Sequence, residues 1–167
     1  MQPTKIAAIS SSEGQVLSIA GGTYRIVISG QQTNGSFAVI EMTVPPGAGP
    51  ALHNHPNFEE SFYVLEGEVT FQSEMGKYIA QKDAFIAIPK GGLIHGFKNN
   101  STQAARLLCT VIPAGLDDFF IELSKILPSH IPFEALQDIE TKNKIKELME
   151  KYGQKIFPSN YFERIEL

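Results

Sequence analysis

The sequence predicts an all-β body, a sandwich or barrel, followed by C-terminal helices. Three observations predict it. Short runs rich in Val, Ile, Phe and Tyr recur up to Ile112, with Gly, Pro and Asn turns between them at regular spacing. No helical period separates those runs, which argues against alternating strand and helix. After Pro113 the pattern changes, and apolar residues recur three and four apart.

Residues 1–15 are polar and marked by Ser and Gly, and read as a loose arm or a first edge strand. Residues 16–20 and 24–29 read as short strands split by Gly21-Gly22, the second carrying Ile26-Val27-Ile28. Asn34-Gly35 is a hairpin signal. Residues 37–44 form the next strand, apolar at several positions on both faces and so expected to be covered on both sides. Pro45-Pro46-Gly47 ends it. Residues 62–65 run into the Glu66-Gly67 turn, residues 69–72 return, Met75-Gly76 turns again, and residues 78–80 follow. Residues 85–88 (Phe-Ile-Ala-Ile) read as a buried strand stopped by Pro89, and residues 105–112 as the last long strand.

Residues 117–127 then have helical spacing, with Phe119, Phe120, Leu123 and Leu127 on one stripe and acids in the first turn. Residues 133–138 read as a short helix after Pro132. Residues 141–152 form a clear helix, with Ile145, Leu148, Met149 and Tyr152 on one face and Gly153 as its stop. The aromatic-rich end is expected to pack back on the body. The chain reads as a single domain, with residues 1–113 as barrel and N-terminal strands and residues 114–167 as a helical extension packed on it. The expected role of the helices is to cover a face or edge of the barrel.

Composition bounds the function. With 43% apolar and 19% charged residues the chain is globular, and its 167 residues suffice for a real core. A net charge of -4 without a basic run argues against nucleic acid and against an anionic membrane surface. No apolar run approaches a membrane span, and the N-terminus lacks the apolar core of a signal peptide. A single cysteine, Cys109, excludes an internal disulfide and fits a reducing compartment. These features lead to the expectation of a cytoplasmic protein.

The chemistry concentrates between Pro45 and Gly67. His53 and His55 are two apart, so in an extended strand their side chains share a face. A turn at Pro56-Asn57 can bring Glu60 back beside them, or Glu59 if the turn is one residue tighter. Two imidazoles and a carboxylate suit iron, manganese, nickel, copper or zinc. The alternative is two surface histidines on a polar loop. His95, after the Gly91-Gly92 loop, is the natural third imidazole. A shell of His53, His55, Glu60 and His95 leaves positions open for water or substrate. His130, in a Pro-flanked loop, reads as solvated, and Cys109 as a small buried hydrophobe rather than a ligand.

The stretch Gly47, His53-x-His55, Glu60, Gly67 resembles the first motif of the cupin superfamily, and residues 89–99 resemble the second, with His95 and Asn99. The segments before the histidines, Gly-Ser-Phe-Ala-Val-Ile-Glu-Met-Thr-Val-Pro-Pro-Gly, and after the last strand, Ile-Pro-Ala-Gly-Leu-Asp-Asp-Phe-Phe, together with Lys-Tyr-Gly near the end, are similar to single-domain, quercetin dioxygenase-like cupins. The resemblance spans roughly residues 14–160. It implies a cupin jelly-roll β-barrel (a double-stranded β-helix) around one divalent transition metal, ligands His53, His55, Glu60 and His95, and a homodimer. The spacing to Gly67 favours Glu60 over Glu59. Two positions depart from the family: Lys82-Asp83 stands where Gly-Asp is usual, and one extra residue before His95 makes Gly92 the counterpart of the motif glycine.

The expected function is a metal-dependent dioxygenase acting on a small aromatic, flavonol-like or enolisable substrate. Glu60 would be its general base, and Phe62, Phe85 and Phe97 would line the substrate pocket. A cupin isomerase using the same ligands and a non-catalytic metal or small-molecule binding protein are the rivals, because a fold does not fix a reaction.

Overall fold

The structure is a computed structural model that describes residues 6–127 and 136–164. Eleven strands and two helices are described, in the order β1 (Gln15–Ile19), β2 (Gly22–Ile28), β3 (Ala38–Val44), β4 (His53–Asn54), β5 (Glu59–Glu66), β6 (Glu68–Ser73), β7 (Gly76–Gln81), β8 (Phe85–Ile88), β9 (His95–Lys98), β10 (Ala105–Ile112), α1 (Leu116–Ile126), α2 (Ile139–Lys151) and β11 (Lys155–Ile156). They form two antiparallel sheets. One has the order β1-β2-β3-β10-β5-β8 and the other β11-β4-β9-β6-β7.

Period-two alternation builds the core. On β3, Ala38, Ile40, Met42 and Val44 are buried; on β10, Ala105, Leu107, Cys109 and Val111 are. The register sets Cys109 beside Ile40 on one side and beside Phe62 of β5 on the other. Between the sheets Phe62, Phe71 and Phe97 meet with ring centroids 5.2–5.4 Å apart. The outer face of β3 is half-buried rather than fully covered on both sides. There Glu41 accepts hydrogen bonds from Arg25 and Arg106 at 2.7 Å each, tying β2, β3 and β10 together.

Two strand readings change. Residues 85–88 are not a buried strand: β8 is the edge of its sheet, and Phe85 is 63% exposed. Asn34 and Gly35 do take left-handed φ values of 53° and 78°, but the β2–β3 connection is a longer series of turns than a two-residue hairpin.

The helices cover the barrel beside β1 and β3. α1 lacks a side-chain cap at Gly115. Asp117 does that work instead, because its buried carboxylate accepts from the backbone N–H of Gly115 at 3.0 Å and of Gly30 at 2.7 Å. One side chain thus anchors the helix start to the β2–β3 connection. Asp117→Ala leaves both donors without an acceptor and is expected to cost about 2–4 kcal/mol, read as a shift of the urea unfolding midpoint. α2 begins at Asp138, which accepts from the Thr141 N–H at 2.7 Å. It ends in a Schellman motif: Gly153 at φ 70° donates to the Glu150 carbonyl, and the Gln154 N–H donates to that of Met149 at 2.8 Å. The chain then pairs with the barrel as β11. The helix expected over residues 133–138 falls partly outside the described residues, and residues 136–138 are not helical; His130 also lies outside them. Among the described residues, no helix is long and apolar enough to cross a membrane.

Candidate metal centre

His53, His55, Glu60 and His95 come together in the interior. All four are buried, and their ligand atoms lie within 4.8 Å of one another. The two sheets divide the set. His53 on β4 pairs directly with His95 on β9, and His55 follows one residue beyond β4. Glu60 comes from β5 in the opposite sheet, with its side chain inward by the same alternation that buries Phe62 and Val64. Glu59 is on the exposed face, so the strand register selects Glu60.

Each imidazole is oriented by a backbone carbonyl. The Nδ1 atoms of His53, His55 and His95 donate to Ala51, Phe58 and Leu93 at 2.8, 3.2 and 2.8 Å. A carbonyl only accepts, so these bonds place the proton on Nδ1 and leave the Nε2 lone pair for a metal. His55 also stacks on Phe58, with centroids 4.1 Å apart. Burial, and then the neighbouring His95, push the His53 imidazole down to about 4, which keeps it neutral at pH 7.

The arrangement fits a divalent cation. The Nε2 atoms of His55 and His95 are 3.2 Å apart, and they stand 3.2 and 3.6 Å from Glu60 Oε2. With each Nδ1 turned to a backbone carbonyl, the Nε2 atoms are the ones that face Glu60 Oε2. Two lone pairs and a carboxylate oxygen then need a positive centre among them. Nitrogen and oxygen ligands that share one such ion at about 2.0–2.2 Å stand about 3–3.5 Å from one another.

Both glycines before His95 turn left-handed, Gly91 at φ 117° and Gly92 at 83°. The extra residue in this loop is therefore taken up by two successive glycines, and the Gly92 carbonyl accepts from the Asn54 side chain at 3.0 Å. Asp83, in the other departure, adopts φ 69°, which Asp tolerates better than most residues. Asn99 fastens the far end of β9. It is fully buried, and its side chain donates to Val44 and Gln103 while accepting from Ser101.

A cavity of about 140 Å³ opens beside the group, several times the space one water needs. Its wall is mostly apolar and includes Met42, Phe62, Phe97, Phe119 and Phe120. Phe62 and Phe97 thus line it, but Phe85 does not. Phe85 pairs with Tyr63, whose side chain points to the outer face, whereas Glu60 and Phe62 point inward. The helices do more than cover an edge, because α1 and α2 form one side of the cavity.

Three wall or neighbouring groups escaped the sequence reading. Cys109 is buried as expected, yet its thiol faces Glu60 Oε1 at 3.4 Å. Burial and the charge of Glu60 raise its pKa well above the usual thiol value, so it stays a donor. Tyr24 lines the cavity with its ring 4.8 Å from Phe120, and burial, then Cys109 and Glu60, push its phenol up to about 12. Gln154 lines it too. Only strand alternation marks Tyr24 as inward, and nothing local marks Gln154.

Residues 40–111 match the family model of the cupin domain. That segment carries a cupin domain. Over 123 residues the chain is 26% identical to quercetin 2,3-dioxygenase of Bacillus subtilis (strain 168), a match covering 74% of this chain and 36% of that protein. The chain therefore spans about a third of that relative's length. Among solved structures, KdgF from a Halomonas species is similar with a TM-score of 0.59 at 16% identity, over 67% of this chain and 99% of that one. The polyketide cyclase RemF from Streptomyces resistomycificus is similar with a TM-score of 0.55 at 22% identity, over 65% of this chain and 80% of that one. These structural likenesses show the fold.

Proposed function

We propose that this cupin is a metal-dependent dioxygenase acting on a small, flat, apolar substrate that carries a hydroxyl or enol. The observation that carries this reading is an apolar, aromatic-walled cavity ending on a buried three-histidine, one-carboxylate group. A sugar isomerase would need several polar groups on that wall, and beyond His53, Glu60 and His95 only Tyr24, Thr43 and Gln154 carry polar side chains among the described residues.

His53, His55, Glu60 and His95 would hold a divalent transition metal, which when bound would acidify the substrate hydroxyl and supply the chemistry of dioxygen. The protein's own groups do the rest. Phe62 and Phe97 bind the flat apolar body and exclude water. A carboxylate oxygen of Glu60 takes the hydroxyl proton as general base. The Cys109 thiol, at Oε1, restrains which oxygen of Glu60 faces the imidazoles. The Tyr24 phenol, protonated at neutral pH, stays available as a donor near the same carboxylate.

The test is metal analysis of the purified protein followed by oxygen uptake with a panel of flavonols and small phenols. Uptake with at least one of them is expected, and Glu60→Gln should reduce it about 10²–10⁴-fold beyond any change in metal content. Bound metal without uptake and without a substrate-induced spectral change would replace the dioxygenase by a binding protein.

A further inference from the structure

The cavity has one polar group whose partner is missing. Gln154 is 5% exposed, and its Nε2 is the one buried side-chain nitrogen or oxygen without a hydrogen bond among the described residues. A buried, unpaired amide donor costs free energy that folding alone gives no reason to spend. Its placement is deliberate in the backbone. The Schellman motif at Gly153 turns the chain out of α2, and the Gln154 N–H is fixed on the Met149 carbonyl. β11 then pairs Lys155 with Asn54 and Ile156 with His53. Continuing that register sets Gln154 across from His55. Cross-strand partners share a face, so Gln154 and Ile156 face the same way as the two histidines. Both residues line the cavity with His53 and His95.

We propose that Gln154 is a specificity-determining residue that orients the ligand: its carboxamide donates to a carbonyl oxygen of a molecule whose neighbouring hydroxyl or enol oxygen reaches the metal centre. The substrate class is then a flat apolar molecule with adjacent hydroxyl and carbonyl oxygens. This rests on the dioxygenase reading only for the naming of the ligand as substrate; the donor itself depends on the cavity. The residue lies outside the matched cupin segment, residues 40–111, so the helical extension contributes specificity to the barrel's chemistry.

The test uses full-length protein loaded with zinc, so that binding is read without turnover. Two probes of similar shape are titrated: ortho-hydroxyacetophenone, which has the carbonyl, and ortho-isopropylphenol, which lacks it. Gln154→Leu should weaken the first about tenfold and leave the second unchanged, a double difference that isolates the amide. Gln154→Glu, close in shape and without the donor when ionised, should show the same selective loss. Because Gln154→Leu removes an unpaired buried polar group, it should also raise the melting midpoint by roughly 2–4 °C. Equal loss for both probes, no loss for either, no binding of either by the parent protein, or a fall in melting midpoint would overturn the proposal. The two readings fail separately. Selective binding without oxygen uptake removes the dioxygenase and keeps Gln154; uptake without selective binding does the reverse.

Discussion

Replacing His95 by alanine is expected to strip the protein of its metal. His95 Nε2 stands 3.2 Å from His55 Nε2 and 3.6 Å from Glu60 Oε2, at the junction of the group. Its loss removes one of three imidazoles and leaves the buried Glu60 carboxylate with one ligand neighbour fewer. Substitutions of outer-shell partners alone commonly cost 10–100-fold in metal affinity, so removal of a ligand should cost more than about 100-fold. Metal content after dialysis should fall to background in His95→Ala, and likewise in His53→Ala. Circular dichroism separates this from unfolding, because the imidazole is not needed to pair β4 with β9. Full metal in a folded His95→Ala protein would mean that the shell is wrongly composed.

Gly49→Ala is expected to be the most damaging glycine-to-alanine change among the described residues. A Cβ at Gly49, whose φ is 158°, would stand 1.9 Å from the Phe97 carbonyl oxygen and 3.0 Å from Lys98 Cα. Both are backbone atoms of β9 and cannot swing away. The neighbouring residues are also pinned there, since Gly47 donates to the Asn99 carbonyl at 2.7 Å and Asn99 donates to that of Ala48 at 2.8 Å. The clash must displace β9, and His95 lies on that strand. Overpacking of this severity should cost about 3 kcal/mol or more, which lowers the melting midpoint by roughly 6–12 °C. Metal affinity should fall with it. Gly47→Ala is the control: φ is 79°, but nothing lies within 4 Å of its added Cβ, so only conformational strain of about 1–2 kcal/mol remains. Equal effects of the two substitutions would show that β9 yields freely.

The long strands were legible because one of their faces is buried, and alternation records that. β10 has the bounds its sequence suggests, and α2 stops at Gly153 as expected, although it starts two residues earlier than its spacing suggests, on Asp138, which reads from the sequence as the end of a separate short helix. The histidines were legible because His-x-His, a turn and a carboxylate encode one local face. What escaped is set by partners distant in the chain. β4, β9 and β11 have two to four residues each, too few for any period to show, and exist only through pairing. Phe85 belongs to an apolar run that reads as buried, yet its register with Tyr63 turns it to the outer face. Cys109 reached Glu60 through the β5–β10 register, in which Glu60 pairs with Val111, two residues further along the same face. Gln154 depends on where a helix ends.

The division of the ligands between sheets has a further consequence. The imidazoles sit on or beside β4 and β9, the carboxylate on β5, so an ion held by all four is a tie across the barrel. Unfolding must break it, and the free energy of loading therefore counts toward the cohesion of the whole body. Each tenfold excess of free metal over its dissociation constant adds about 1.4 kcal/mol to that cohesion. A cell's supply of the ion would thereby set how long the protein survives as well as whether it can act.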